Sequence, residues 1–155
     1  PREHGIILTL EHPPTFTAGR RIRGTVDDEG QRLARVGAEY FETQRGGQTT
    51  FHGPGQLVVY PILDLRTFQL GVRDYVDLLQ SVAIESCAAF GITAGLRPET
   101  GVWIGDAKIA AVGIQVRHHI TSHGFALNCN TDLTWFDHIV PCGLPDRTVT
   151  SISQE

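Results

Sequence analysis

Apolar positions in this chain fall into short β-type runs and one stretch with helical spacing. Residues 5–12 (GIILTLEH) form an apolar run ended by Pro13 and Pro14, which predicts a strand. The acidic cluster Asp27, Asp28 and Glu29 lies near the head of the stretch from 25 to 44. Acids complement the dipole at a helix start, so a short helix through Val36 is expected, then a strand over 39–44 entering Gly46 and Gly47. Residues 57–65 (LVVYPILDL) are dominated by β-formers, with Pro61 marking a bulge or an edge position. Between 72 and 90 the period changes. Val72, Val76, Leu79, Val82 and Ala83 recur at steps of three and four, and Gly91 supplies a stop, so this is the clearest helix. Residues 101–104 and 107–116 read as two strands joined by a turn at Gly105 and Asp106, and 122–132 continues the sheet. From Trp135 onward Pro141, Gly143 and Pro145 punctuate the chain and predict loop. With no internal repeat or linker, the pattern predicts one α+β domain, a mixed α/β sheet with flanking helices.

Composition narrows the function classes. The chain has 155 residues, enough for one domain with a core and too few for two. A formal charge of -4 argues against general affinity for nucleic acid or for an anionic membrane. No window approaches the roughly 18 apolar residues of a membrane span, and residues 1–12 lack a signal-peptide layout. Cys87, Cys129 and Cys142 are odd in number and widely spaced, without a CxxC pair. That disfavours a disulfide framework or a cysteine zinc knuckle and suits a reducing cytoplasm. Methionine is absent, so a chain trimmed at its ends is expected. Among 13 basic residues only Lys108 is a lysine. Arginine keeps its proton at any useful pH, whereas a desolvated lysine can release one.

Three segments carry candidate chemistry. Residues 45–56 (RGGQTTFHGPGQ) are too rich in glycine and proline for regular structure, yet polar side chains are interleaved with them. Glycine lets backbone N–H groups approach a ligand, so this is expected to be a binding loop rather than a plain surface loop. It is not a phosphate loop, because GxxxxGK[ST] is absent. Lys108 follows a hairpin turn, where edge strands often carry a solvated charge. Its uniqueness, and the small Ala110, Ala111 and Gly113 after it, favour a substrate-facing role instead. Cys142 sits in Pro141-Cys142-Gly143 with no periodic setting, whereas Cys87 and Cys129 fall on apolar faces and read as packed thiols. A nearby ammonium would raise the reactive thiolate fraction of Cys142. His118, His119 and His123 superficially suggest zinc, but four-residue spacing on a strand separates the side chains and no partner ligand is at hand, so no metal is expected. His52 and His123, each followed by glycine, read as polar pocket lining.

The segments RGGQTTFHGPGQLVVYPILDL (45–65), GVWIGDAKIAAVGIQV (101–116), HGFALNCNTDL (123–133) and FDHIVPCGL (136–144) together resemble the lipoyl/octanoyl transferases, also called lipoate-protein ligase B. The resemblance covers most of the chain, in family order. It implies the catalytic fold shared by biotin and lipoate protein ligases, with residues 1–155 as one octanoyltransferase catalytic domain lacking parts of both ends. It implies that Cys142 accepts octanoate from acyl carrier protein as a thioester, with Lys108 as its acid/base partner. The acyl pocket would be lined by Arg45, Gly46, Gly47, Gln48, Thr49, Thr50, Phe51 and His52, by Ala111, Val112 and Gly113, and by Gly124, Phe125 and Ala126. The acceptors implied are lipoyl domains of 2-oxoacid dehydrogenases and the glycine cleavage H protein, in the cytoplasm, with no cofactor. Two alternatives compete: an ATP-dependent lipoate or biotin ligase of the same fold, and a non-catalytic acyl-carrier-binding module.

Overall fold

The computed structural model describes residues 5–22, 27–139 and 148–155. In chain order its elements are β1 (Gly5–Leu10), β2 (Thr15–Ala18), α1 (Asp27–Ala34), β3 (Glu39–Glu42), β4 (Thr50–His52) and β5 (Gln56–Leu63). They continue with α2 (Val72–Ala88), β6 (Val102–Ile104), β7 (Ala107–Arg117), β8 (Ile120–Asn128), a 3-10 helix (Leu133–His138) and β9 (Thr148–Val149). The larger sheet runs β1-β5-β8-β7-β6, with β9 parallel to the start of β7. The smaller runs β3-β2-β4. This is the expected α+β class.

Strand alternation gives each sheet two unlike faces. On the larger sheet Val59, Ala110, Phe125 and Leu127 turn toward α2 and pack with Tyr75, Leu79, Ala83 and Cys87. On the smaller sheet Phe16 and Phe51 turn toward α1 and the 3-10 helix, packing with Leu33, Phe136 and Ile139. The opposite faces of both sheets border one cavity. Each sheet is thus anchored from behind by its own core, and the space between stays open.

The helix α2 begins where Asp74 accepts the backbone N–H of Gly71 at 3.2 Å, satisfying a donor at the helix start. It ends before Gly91, whose φ of 78° suits glycine. Its buried stripe is Tyr75, Leu79, Gln80, Ala83 and Cys87. The expected stripe was rotated, since Val72 and Val82 are 51% and 42% exposed. Steps of four from Tyr75 to Cys87 define the packed face, and counting only aliphatics hid its two ends.

Pro61 needs a similar correction. It lies in β5, between β1 and β8, and not at a sheet edge. The β5–β8 ladder covers 56–59 and stops short of it. Beyond that point the buried Thr121 hydroxyl donates to the Pro61 carbonyl at 2.7 Å and accepts from Leu63 N–H at 2.9 Å. A side chain replaces the ladder where proline has no N–H to give. Residues 50–52, expected to be irregular, form β4, and the tail expected to be loop supplies the 3-10 helix and β9. No helix among the described residues is long and apolar enough to cross a membrane.

Candidate functional site

The cavity between the sheets has a volume of about 760 Å³, within the roughly 300–1,000 Å³ typical of small-molecule sites. Its floor is the inward face of the larger sheet: Gln56, Val58 and Tyr60 of β5, Gly124, Ala126 and Asn128 of β8, and Ala111 and Gly113 of β7. Its other wall comes from Thr15 and Thr17 of β2, Glu39 and Phe41 of β3, and Thr50 and His52 of β4. The floor residues opposite each other are small, Ala111 against Ala126 and Gly113 against Gly124. That leaves an apolar trough between the strands.

The glycine-rich segment closes over this trough. Gly46 N–H donates to the Ile114 carbonyl at 3.0 Å, docking the loop on β7. A Cβ on Gly113 would stand 3.2 Å from both the Arg45 Cδ and the Gly46 carbonyl, so the close approach depends on glycine. Arg45 is buried, and its guanidinium donates to the Thr17 hydroxyl at 2.9 Å, the Thr17 carbonyl and the Gly46 carbonyl at 2.9 Å. It ties the loop to β2 and brings positive charge to the cavity wall.

Lys108 reaches the cavity through a bulge. Val102 pairs with Ala110 and Trp103 with Lys108, so β7 spends two residues where β6 spends one. Ile109 and Ala110 both turn into the α2 core, while Lys108 and Ala111 both border the cavity. An extra residue re-aims a side chain in this way. The lysine is 7% exposed, which replaces the solvated-edge reading with a buried cation. Its Nζ donates to the Thr100 carbonyl at 3.0 Å and lies 4.7 Å from the Trp103 ring centre. A Cβ on Gly101 would meet its Cε at 2.9 Å. The Gly101 N–H is in turn held by Gln80 Oε1 of α2 at 3.0 Å.

Histidines and tyrosine form the polar end. His12 Nε2 and the Tyr60 hydroxyl are 2.9 Å apart, and the His12 and His52 rings are centred 5.7 Å apart. Burial pushes His52 down to about 4, with the Arg45 charge acting in the same direction and the Gln56 hydrogen bond opposing it. His123 is lowered by burial and by Arg45, and His12 by burial. Burial raises Tyr60. Above pH 6.5 these imidazoles are neutral, suited to hydrogen bonding rather than to carrying charge.

The structure brings most of the expected residues together. Arg45, Gly46, Gly47, Gln48, Thr49, Thr50, His52, Lys108, Ala111, Val112, Gly113, Gly124, Phe125 and Ala126 border one cavity. Val112 and Phe125 also pack in the α2 core. Phe51 does not join them. Thr50 and His52 face the cavity, so alternation turns Phe51 the other way, where it is 1% exposed and stacks on Trp135 at 5.1 Å. Cys142 lies outside the described residues, as do Pro141 and Gly143. The chain flanking that segment is described: Ile139 and Val149 border the cavity, and Val149 pairs with Lys108. Cys87 and Cys129 are raised chiefly by burial, which lowers their thiolate fraction. Sequence reasoning missed Tyr60, His12 and Asn128 at the site, and reached Gln56 only as the end of the expected binding loop. Once 57–65 is read as a strand, Val58 and Tyr60 share a face, and that period was the available signal.

Among the described residues no group of His, Cys, Asp and Glu is arranged to hold a metal ion. The model of the lipoyl protein ligase A/B catalytic domain matches residues 2–155. The chain is 54% identical over 149 residues to the mitochondrial octanoyl-[acyl-carrier-protein]:protein N-octanoyltransferase of Danio rerio, spanning 96% of this chain and 66% of that protein. It is 47% identical to the octanoyltransferase of Bacteroides fragilis, spanning 96% of this chain and 71% of that one. The chain therefore covers about two thirds of the length of these curated relatives. Solved structures share its fold: lipoate-protein ligase A bound with ATP has a TM-score of 0.75 at 15% identity, over 98% of this chain and 65% of that one. Protein Ta0514 of T. acidophilum with bound lipoic acid has a TM-score of 0.72 at 14% identity, over 98% and 64%. With the expected glycine-rich segment, lysine strand and small-residue floor gathered at one cavity, the chain belongs to the lipoyl protein ligase A/B catalytic-domain family.

Proposed function

We propose that residues 1–155 act as one catalytic unit that moves an octanoyl group from acyl carrier protein to a lysine of a lipoyl-bearing protein, through a thioester on Cys142. The acceptors are lipoyl domains of 2-oxoacid dehydrogenases and the glycine cleavage H protein. The observation that carries this reading is the buried Lys108 ammonium at an apolar, glycine-floored cavity whose wall includes both chain ends flanking the Cys142 segment. Cys142 is three residues beyond Ile139, a stretch of chain that spans at most about 11 Å.

The chemistry follows from these parts. The Cys142 thiolate, paired with the Lys108 ammonium, attacks the octanoyl thioester. The carrier thiol leaves with the proton of Lys108, which is then neutral. The acceptor amine next attacks the acyl-cysteine, and Lys108 takes the proton that the nitrogen sheds. Backbone N–H groups of the glycine-rich segment are candidates to hold the tetrahedral oxygen. Exchange between thioesters is nearly neutral and thioester to amide is downhill, so ATP is not needed. A compartment that keeps thiols reduced suits Cys142, and the cytoplasm is one such place.

Intact-mass spectrometry after mixing the chain with octanoyl carrier protein, without ATP, tests this. An octanoyl adduct that disappears in Cys142→Ala supports the transferase. A chain that stays unmodified and modifies its acceptor only with ATP would instead be a ligase. Octanoate binding without either reaction would make it a binding module.

A further inference from the structure

The buried amides of Gln56 and Asn128 take no part in that dyad, yet their hydrogen bonds run in one direction only. The Thr150 carbonyl can only accept, so Asn128 turns its Nδ2 toward it, at 3.0 Å. Asn128 Oδ1 is then the atom that faces Gln56. Gln56 Nε2 donates to that oxygen at 2.9 Å and to the Phe51 carbonyl at 3.2 Å. Gln56 Oε1 is left to face His52 Nδ1 at 2.8 Å. Two acceptors cannot bond, so His52 Nδ1 carries the proton and Nε2 holds the lone pair. Asn128, Gln56 and His52 are all buried, so water does not reverse the sequence of bonds. Thr150 N–H donates to the Lys108 carbonyl at 3.0 Å, anchoring the chain of amides on the strand that carries the lysine.

His52 borders the cavity, and its Nε2 makes no hydrogen bond among the described residues. We propose that the amide chain fixes His52 as its Nδ1–H tautomer so that Nε2 accepts a hydrogen bond from the ε-amine of the acceptor lysine. This rests on the transferase reading above and assigns its second half a residue of its own. In the first half, the donor's reacting atoms are a carbonyl oxygen and a thioester sulfur, which offer nothing for a lone pair to accept. The second half brings in an N–H group. The nitrogen lone pair forms the C–N bond, the C–S bond breaks, and the Cys142 sulfur leaves with the electron pair. Lys108 takes the proton shed by nitrogen, while His52 Nε2 receives a hydrogen bond and no proton. The bond turns the nitrogen lone pair toward the carbonyl.

The surroundings of His52 fit that role. Its strand β4 backs onto the 3-10 helix through Phe51, which stacks on Trp135 and meets Phe136 edge-on at 5.7 Å. That helix leads through Ile139 to the Cys142 segment. On its other side His52 neighbours His12, which is partly exposed and so open to an arriving side chain. His52 would be a catalytic residue, with Gln56 and Asn128 as positioning residues.

Two measurements test this. Nitrogen-15 imidazole NMR on the native full chain reads the tautomer directly: a protonated Nδ1 and bare Nε2 at His52 are expected, and a protonated Nε2 overturns the proposal. Rapid-quench intact-mass kinetics with octanoyl carrier protein and then a lipoyl domain separate octanoyl capture from transfer. In Gln56→Met the transfer rate should fall tenfold or more relative to the capture rate, with His52 shifted to the Nε2–H form. Equal slowing of both steps would overturn it. A native chain that captures no octanoyl group would sink the transferase reading instead, and the NMR result would still decide the tautomer.

Discussion

The Lys108 ammonium lies 4.7 Å from the centre of the Trp103 ring and donates to the Thr100 carbonyl, so the lysine is held by both an aromatic face and a backbone oxygen. A cation over an aromatic face gains about 0.5–2 kcal/mol. Trp103 itself is fixed by its indole N–H on the Glu99 carbonyl at 3.2 Å. On the transferase reading proposed above, Lys108→Arg keeps the charge and loses the proton transfer, so kcat should fall by roughly 100-fold or more. Circular dichroism should remain native. A Lys108→Arg enzyme with near-normal turnover would remove the lysine from the proton chemistry.

Gly124 is where the floor is tightest. A Cβ there would stand 2.1 Å from the Val59 carbonyl oxygen and 2.8 Å from the Pro61 ring. Backbone cannot yield as a flexible side chain can. Gly124→Ala is expected to lose about 1–3 kcal/mol of stability, read as a lower urea midpoint, and, on the transferase reading proposed above, to raise KM for the octanoyl donor.

Acid should weaken the fold through His52. Its ordinary value is 6.5 and burial holds it at about 4 in the folded chain. Above pH 6.5 neither folded nor unfolded chain binds the proton, so the group is silent. Between 6.5 and 4 the unfolded chain takes up a proton that the folded chain refuses, and stability falls as pH falls, by roughly 3 kcal/mol in all. His123 and His12, also held low by burial, act in the same direction. Urea titrations at pH 7 and pH 5 should show the loss, and His52→Gln should flatten it. An unchanged slope in that variant would assign the acid sensitivity elsewhere.

Thr121 offers a contrast, being structural and remote from the chemistry. Its hydroxyl substitutes for the missing ladder at Pro61, bonding both Pro61 and Leu63. Thr121→Val keeps the shape and leaves a buried carbonyl and N–H without that partner, costing about 1–3 kcal/mol. Thermal midpoints should drop while kcat, measured below the transition, stays near normal.

Much of this was legible in the sequence because strands and turns signal locally. The hairpin at Gly105, the helix closed by Gly91 and the strand 107–116 follow from spacing and breakers alone. The cavity residues were legible only as motifs, since spacing does not say that β2, β4, β5, β7 and β8 converge on one space. Phe51 was misplaced because a motif treats neighbours alike, while a strand sends them to opposite faces. β4 was overlooked because its three residues sit between glycines, and pairing with β2, not propensity, makes them a strand. The buried chain His52, Gln56 and Asn128 joins residues 72 positions apart, a relation that no local window contains.

The bulge in β7 makes the placement of Lys108 a matter of parity. Lys108 and Ala111 are three positions apart, an odd interval that a regular strand would send to opposite sides of the sheet. The additional residue at Ile109 restores them to one side. Replacing Ile109 with another apolar residue would therefore be mild, and removing that position would leave Lys108 and Ala111 two apart and still on one side, whereas pairing the same residues regularly, without the bulge, would turn the lysine out of the cavity and into the α2 core. What holds Lys108 at the cavity with this number of residues is the bulge itself, more than the identity of the side chain at 109.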